Sequence, residues 1–206
     1  MKRPLCLGIT GASGAIYATR LLEVLLAAGR DVHLSISPSG ADVIRQELNR
    51  SIDVDDFQLA ALLPDAARGS DSSGRVGRVN YCHWQNFMAP MASGSSLTAG
   101  MVICPCSGTT LSAVTAGAAG NLIQRAAEVH LKERRKLILV TRETPVSLTH
   151  IDNMRRATEA GAVILPASPG WYHGVSTIDD LVNFIVARIC DQLSIEHALT
   201  KRWGTA

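Results

Sequence analysis

The sequence predicts one α/β domain, a three-layer Rossmann-like sandwich in which a parallel sheet is flanked by helices on both faces. Short aliphatic runs alternate along the chain with stretches whose apolar residues recur at helical spacing. Most of these runs are apolar at successive positions, as strands covered on both faces are. Hydrophobic residues make up 47% of the 206 residues and aromatic residues only 4%, so the core must be aliphatic. A chain of this length can bury a substantial core as a single domain.

The first half of the chain has the order strand, helix, strand, helix. Residues 5–9 are an apolar run that a glycine-rich turn ends, and leucines at helical spacing follow as far as Gly29. Residues 32–36 alternate apolar and polar side chains, which predicts a second strand, and Pro38 opens the helix after it. Residues 49–81 are first acidic and then rich in Gly and Ser, so we expect a surface excursion there.

The second half continues the alternation. Aliphatic runs predict three further strands, at residues 101–104, 137–140 and 162–165. Apolar residues at helical spacing predict the helices of this half, at residues 107–118, 122–133, a stretch that ends at Gly161, and 178–193. The tail, about residues 194–206, belongs to the same domain of residues 1–206.

Composition argues against several classes of function. A formal net charge of +2, with Lys and Arg spread along the chain, is too small to indicate a nucleic-acid-binding surface. No stretch approaches the roughly 20 apolar residues of a membrane span. An odd number of cysteines without paired spacing indicates reduced thiols and a cytoplasmic protein. These cysteines are Cys6, Cys82, Cys104, Cys106 and Cys190.

Polar residues follow every predicted strand. They occur at residues 10–14, 37, 107–110, 141–144 and 167–173. Ligands collect at the carboxyl ends of parallel strands, because helix N-termini there present N–H groups to anions. We therefore expect a ligand site at this edge of the sheet, and we expect the turn of residues 8–15 to hold a phosphate.

The glycines of this turn restrict the kind of ligand. They lie at positions 8, 11 and 14, which does not match the G-x-G-x-x-G turn of dinucleotide-binding proteins. The second strand ends at Ser37, where an NAD-binding protein is expected to carry an acidic residue. The Lys-Ser/Thr pair of a Walker loop is also missing. A mononucleotide with a single phosphate, such as FMN, remains.

Two groups of charged residues each have two interpretations. Arg142 and Glu143 follow a buried strand, where they either join neighbouring loops by ion pairs or hold a phosphate and handle a proton. Arg125 and Lys132 lie seven residues apart and share one helix face, which is usually a solvated face.

Three further motifs are less specific. The Gly/Ser-rich stretch of residues 88–96 can approach a ligand closely or form a flexible loop. Residues 171–173, Trp-Tyr-His, can form an apolar wall with one phosphate donor. No metal site is expected, since His173 has no partner at metal-ligand spacing. Cys104 and Cys106 do not form a C-x-x-C motif and are expected to pack rather than react.

Several segments together make the chain resemble the flavin prenyltransferases, the UbiX/Pad family formerly described as hydroxybenzoate carboxy-lyases. These segments span nearly the whole chain and are GITGASGAIYATRLLEVL, MAPMASGSS, ICPCS, NLIQRAAEVHLKERRKLILVTRETP, GAVILPASPGWYH and RWG. The resemblance implies a flavodoxin-like sheet, a dodecamer, and metal-independent transfer of a dimethylallyl group from dimethylallyl monophosphate to N5 and C6 of reduced FMN. The product, prenylated FMN, serves UbiD-type decarboxylases, which implies a role in ubiquinone synthesis or aromatic-acid decarboxylation.

The resemblance also implies roles for individual residues. The implied FMN site consists of Gly11, Ala12, Ser13, Ser37, Ser107, Gly108, Thr109, Thr110 and Arg142. The implied substrate-binding residues are Arg125, Lys132, Tyr172, Arg188, Ser93 and Trp203. The implied catalytic groups are Ser13, Glu47, Lys132 and Glu143. Physical chemistry agrees, because ionising an allylic phosphate produces a delocalised cation and an anion, which need an aromatic wall and cationic groups.

In this family the loop of residues 88–96 contributes to the site of a neighbouring subunit, which implies that the oligomer is functional. The tail with Trp203 is expected to pack near the active site. Phe87 stands where some members carry Trp, so the wall around the prenyl chain is expected to differ.

Two alternative functions are compatible with the fold. The first is a flavin-dependent cysteine decarboxylase, which would carry a His near the first helix and an Asn-rich substrate motif. This chain has Ile16 and Tyr17 after the turn and no such motif. The second is a non-catalytic FMN-binding partner of a decarboxylase, against which the set of charged residues argues.

Overall fold

Six strands and seven helices alternate in the part of the chain that the computed structural model describes, residues 2–64, 76–172 and 174–201. The strands are β1 (Leu5–Ile9), β2 (Val32–Ile36), β3 (Val79–Tyr81), β4 (Met101–Cys106), β5 (Leu137–Thr141) and β6 (Val163–Ile164). The helices are α1 (Ala15–Ala27), α2 (Pro38–Leu48), α3 (Leu59–Leu62), α4 (Gly108–Ala116), α5 (Leu122–Lys132), α6 (Leu148–Glu159) and α7 (Ile178–Gln192). No helix within these ranges combines the length and apolar character needed to cross a bilayer.

The strands are parallel and lie in the order β3-β2-β1-β4-β5-β6. The strands β2 and β3 are added in turn on one side of β1. The chain then crosses to the other side, where β4 pairs with β1 and β5 and β6 follow. This order confirms the predicted α/β architecture. The direction in which strands are added changes between β1 and β4, and this leaves a crevice above their carboxyl ends. Ligands bind at this position in such sheets.

Alternate residues of the central strands pack on opposite faces of the sheet. Leu5, Leu7 and Ile9 of β1 belong to the core cluster covered by α1 and α7, whereas Cys6 belongs to the cluster covered by α4, α5 and α6. All five residues of β1 are buried, which explains why this strand is apolar rather than alternating. The sheet is therefore the middle of three layers.

The region of residues 49–81 contains regular structure that the sequence analysis did not predict. α3 is one turn long and β3 has three residues, so both are too short to show a hydrophobic period. Val79 pairs in register with Val32 and adds β3 as an edge strand. Just before β3, a Cβ on Gly77 would lie 2.1 Å from the Arg30 carbonyl oxygen, so this approach requires glycine. The predicted surface excursion is correct only in part, and residues 65–75 lie outside the described ranges.

The directions of α5 and α7 decide which residues can reach the crevice. α5 begins beside Trp84, whose carbonyl accepts the Leu122 N–H at 2.8 Å. Only four residues separate the end of α5 from the start of β5. It therefore runs from the carboxyl edge of the sheet to the amino edge. α7 starts after β6, and Leu193 at its end contacts Gly100, which precedes β4. Both helices thus end at the amino edge, on opposite faces of the sheet.

Candidate active site at the carboxyl edge of the sheet

Thr10 joins the two turns that form the crevice. Its side chain is 3% exposed, and its Oγ1 donates to the Pro105 carbonyl at 2.8 Å. The same oxygen accepts the Ser107 N–H at 2.9 Å. Thr10 follows β1, Pro105 lies near the end of β4 and Ser107 follows β4. This hydroxyl therefore fixes the two sides of the crevice relative to each other.

The turn between β1 and α1 lies against the start of α2. A Cβ on Gly11 would be 2.6 Å from the Ser39 hydroxyl oxygen, so the two segments can approach this closely only with glycine. Ser37 caps α2, since its Oγ accepts the Gly40 N–H at 3.1 Å, and it lies 3.2 Å from Ser39 Oγ. Gly11 and Ser37 therefore share one corner of the site, together with a second serine that sequence reasoning did not single out.

The first N–H groups of α1 are occupied by a side chain of the protein itself. Gly14 N lies 3.1 and 2.9 Å from the two Glu47 carboxylate oxygens, and Ala15 N donates to one of them at 2.8 Å. This corrects part of the prediction for residues 8–15, because the carboxylate takes the place of a phosphate at this helix end. The same contact argues against a dinucleotide, whose pyrophosphate occupies this position in Rossmann folds.

The start of α4 forms the opposite side of the crevice. Ser107 caps this helix, since its Oγ accepts the Thr110 N–H at 3.2 Å and donates to Thr110 Oγ1 at 3.0 Å. Thr110 is 5% exposed, so its hydroxyl supports the cap from within. Thr109 is exposed at the surface of the first turn. Of the predicted residues here, Gly108 lines the cleft described below, and ligand contacts of Ser107 and Thr109 stay a prediction.

A cleft of about 200 Å³ lies between the start of α4, the β5–α6 loop and the segment after β6. Arg142 and Glu143 both line it. The Arg142 Nε donates to the Ser13 carbonyl at 3.4 Å, which ties the β5 loop to the β1 turn. The predicted cofactor residues and the charged pair after β5 therefore lie along one edge.

His150 also lines the cleft, and the sequence analysis did not single it out. Its Nε2 is 3.5 Å from Glu143 Oε2, and its Nδ1 is 2.8 Å from Ser147 Oγ. Ser147 caps α6 by accepting the His150 N–H. The sequence contains one signal for this residue, a Ser-x-x-His pattern at the start of a helix that follows Arg142 and Glu143.

The predicted cationic residues of α5 lie elsewhere. Arg125 donates to Glu128 at 2.8 Å and, through Nε, to the Ala92 carbonyl at 3.4 Å. Lys132, seven residues further along, pairs with the adjacent Glu133. Arg125 thus lies against the loop that contains Ser93. Lys132, at the end of α5, lies at the amino edge of the sheet.

Tyr172 and Arg188 lie on the other side of the sheet. The Tyr172 ring meets Phe184 of α7 edge-on, with ring centroids 5.9 Å apart. Arg188 lies one turn further along α7 and donates to Asp191 at 2.8 Å. Trp203 and His173 lie outside the described residues.

One chain thus assembles the predicted cofactor residues but not the predicted phosphate clamp. Lys132 is at the amino edge of the sheet and Glu143 is at the carboxyl edge, and a five-residue strand, about 16 Å long, separates the two edges. Arg188 is on α7, which covers the opposite face from α5. The tail begins at the amino edge too, where Ile195 N bonds the Cys190 carbonyl, and its approach to an active site stays a prediction.

Two thiols lie at this edge without being reactive. Burial raises the pKa of Cys106 to about 12 and also raises that of Cys104. A thiolate is therefore disfavoured at neutral pH, which supports the expectation that both cysteines pack. Across the described ranges, no three His, Cys, Asp or Glu side chains are grouped to hold a metal ion.

Comparisons with known proteins show the family to which the chain belongs. A family model described as Flavoprotein matches residues 1–190. The chain is 46% identical to the flavin prenyltransferase UbiX of Pseudomonas aeruginosa over 198 residues, which is 96% of this chain and 92% of that protein. The crystal structure of AnUbiX (PadA1) in complex with FMN and dimethylallyl pyrophosphate superimposes over all of both chains, with a TM-score of 0.84 and 33% identity.

Two further structures bear on assembly and on the alternative function. A dodecameric FMN-dependent UbiX-like decarboxylase from Escherichia coli O157:H7 covers 100% of both chains, with a TM-score of 0.81 and 36% identity. The FMN-dependent cysteine decarboxylase TvaF is only 14% identical, with a TM-score of 0.56 over 80% of this chain, and so shares the fold alone. With relatives this similar over nearly its full length, the chain belongs to the UbiX family of flavin prenyltransferases.

Proposed function

We propose that this protein transfers a dimethylallyl group from dimethylallyl monophosphate to N5 and C6 of reduced FMN. The observation that carries the proposal is the placement of Arg142 and Glu143 in the cleft beside the turns of β1 and β4. In a chain of this family, that edge offers both an anion-binding guanidinium and a carboxyl group that can handle a proton.

The residues at the crevice fit a mononucleotide. Hydroxyl groups of Ser37, Ser39 and Ser107 and the backbone of Gly11 meet around it, and these suit a phosphate and a polyol chain. Glu47 leaves no place for a second phosphate at α1. FMN would be held by Gly11–Ser13, Ser37, Ser107–Thr109 and Arg142, and in its reduced form it supplies the nucleophilic nitrogen and carbon.

The chain's own residues would manage the charges of the substrate. When the allylic C–O bond breaks, the phosphate leaves with the bonding electrons, so cationic groups must neutralise it. Arg125, Lys132 and Arg188 are the cations proposed for this role. Glu143 would accept the proton that is released from C6 of the flavin when the prenyl group forms its second bond there.

These groups come together only if the oligomer supplies them, since one chain keeps α5 and α7 on opposite faces. We therefore propose a homododecamer in which neighbouring copies complete each site. Exposed apolar side chains support such contacts, among them Met88 at 92% exposure, Trp171 at 70% and Ile178 at 72%. Ser93 and the tail with Trp203 would then reach the site of another copy.

The decisive experiment is anaerobic incubation with reduced FMN and dimethylallyl monophosphate, followed by mass analysis of the flavin. We expect a prenylated flavin, and a parallel incubation with the diphosphate gives the donor preference. The matched control is Glu143→Gln, which we expect to keep FMN bound while turnover falls by about 100-fold, as for loss of a general base. An unmodified flavin from the folded wild-type oligomer would overturn the proposal.

We further propose that the product is delivered to a UbiD-type decarboxylase in the cytoplasm. Five free thiols among the described residues suit a reducing compartment. The test is activation of an apo-decarboxylase of this type by the reaction mixture, with a mixture lacking the prenyl donor as control. No activation by a mixture that contains prenylated FMN would contradict this step.

A further inference from the structure

His150 occupies a fixed position in the first turn of α6. Its backbone N–H donates to the capping oxygen of Ser147, and its ring returns to the same hydroxyl through Nδ1 at 2.8 Å. On the other side, the ring rests against α4, since a Cβ on Gly108 would lie 2.6 Å from Nε2. Contacts from two helices therefore limit the rotation of this imidazole.

One hydrogen-bond arrangement satisfies both nitrogens of the neutral ring. The Ser147 Oγ, which accepts the His150 backbone N–H, donates its own proton to Nδ1. In that arrangement the ring proton is on Nε2, which lies 3.5 Å from Glu143 Oε2.

Glu143 has few other restraints. Its side chain is 42% exposed, and it belongs to the loop between β5 and α6 rather than to a helix or strand. The charged neighbour on its own loop is Arg142, which turns toward the Ser13 carbonyl. From α4, Gly108 lies against the His150 ring, and from β4, Cys106 lines the same cleft; neither carries charge at neutral pH.

We propose that His150 is a positioning residue that holds the Glu143 carboxylate in the cleft, oriented toward the reacting atoms. This inference rests on the proposed function, because it assigns His150 a role through the group that handles the proton. Ser147 holds the ring at Nδ1 and Gly108 leaves space for it, so the three residues form one support for Glu143.

The first test compares two replacements of His150 with a control elsewhere. His150→Leu removes the polar ring that lies 3.5 Å from the carboxylate, and we expect kcat to fall about tenfold with little change in KM, because the charged group loses its polar neighbour. His150→Gln keeps an N–H donor of similar reach and should recover much of kcat. His33→Leu, at the amino half of β2, should leave both constants unchanged.

A double-mutant cycle separates positioning from a loss of structure. In a Glu143→Gln background, His150→Leu should lower kcat no further, because the carboxylate on which it acts is gone. Additive losses in the cycle would overturn the role of His150.

A measurement that needs no turnover keeps this inference distinct from the proposed reaction. The imidazole resonances of His150 are compared by NMR, at one pH, in the wild type and in Glu143→Gln. They should move in the variant, because the carboxylate charge 3.5 Å from Nε2 is lost. Unchanged resonances overturn the inference even if flavin is prenylated. Moved resonances without prenylation overturn the reaction and, with it, this role of His150 in catalysis.

Discussion

At the scale of single residues, Glu47 has the clearest local effect. It lies near the end of α2 and is proposed to be catalytic, yet its carboxylate also accepts the first N–H groups of α1. An anion at a helix N-terminus stabilises the helix through both hydrogen bonds and the helix dipole. Removing it should therefore change stability and anion binding together.

Glu47→Ala is expected to lower the free energy of unfolding by about 1 kcal/mol, since two helix N–H groups lose their acceptor. The vacated helix end should then bind inorganic phosphate, because its donors face solvent. Thermal melts with and without phosphate measure both effects, and the added stabilisation should be larger in the variant. Glu23→Ala, which removes only a pairing with Arg20 at the surface, is the control. If phosphate raised the melting temperatures of Glu47→Ala and Glu23→Ala equally, the vacated helix end would not be a phosphate site.

The sequence predicted the location of a residue only where the residues next to it in the chain form a recognisable pattern. Arg142 and Glu143 are adjacent and follow a buried strand, so their place in the cleft was predictable. His150 depends on a contact with Gly108, 42 positions away, and Glu47 on a contact with α1. Neither contact leaves a periodic pattern, so only the folded structure shows them.

At the scale of elements, the start of α7 is defined by a reciprocal cap. Thr177 Oγ1 accepts the Asp180 N–H at 3.2 Å, and the Asp180 carboxylate accepts the N–H groups of Ser176 and Thr177 at 3.0 and 2.8 Å. These backbone donors lower the pKa of Asp180 to about 2. The cap therefore stabilises the start of the helix that carries Arg188.

The pH dependence of this cap has a definite sign. The pKa of Asp180 falls from 3.8 to about 2 on folding, so its ionised form stabilises the protein above pH 3.8. That contribution should be lost as the pH falls from about 3.8 to about 2. Melting temperatures of the wild type and Asp180→Asn should therefore converge over this range. Asp179→Asn, in the same first turn, serves as the control, and a wild-type advantage that is undiminished at pH 2 would refute the assignment.

Elements with a full hydrophobic period were predicted closely, and short ones were not. α1, α5 and α7 are within a few residues of their predicted limits because apolar faces recur over three or more turns. β3 has no such signal, since its position depends on pairing with β2 rather than on its own side chains. β4 extends past the predicted limit to Cys106, through Pro105, where the pairing with β5 shifts register.

At the scale of the whole molecule, the separation of Lys132 from Glu143 predicts that sites are shared between copies. The two residues lie at opposite edges of one sheet, so neither can serve the other within a chain. The sequence could not predict this separation, because helical spacing places Arg125 and Lys132 on one face without giving the direction of the helix.

Mixed oligomers test this sharing directly. Lys132→Ala and Glu143→Gln chains should each be inactive alone, whereas an equal mixture assembled together should recover activity. About a quarter of the sites should then carry both native residues if each site draws them from different copies. A chain with both substitutions, mixed with itself, is the control and should stay inactive. Hybrids without activity would show that one chain supplies both groups.

The hydroxyl of Thr10 has a consequence for how ligands enter. Because it bonds both turns of the crevice, the two halves of the sheet cannot spread apart without breaking a buried contact. The mouth of the site should therefore be rigid before binding, and association should follow simple second-order kinetics without a slow opening phase. Slow amide exchange at Ser107 in the ligand-free protein would be the sign of this rigidity.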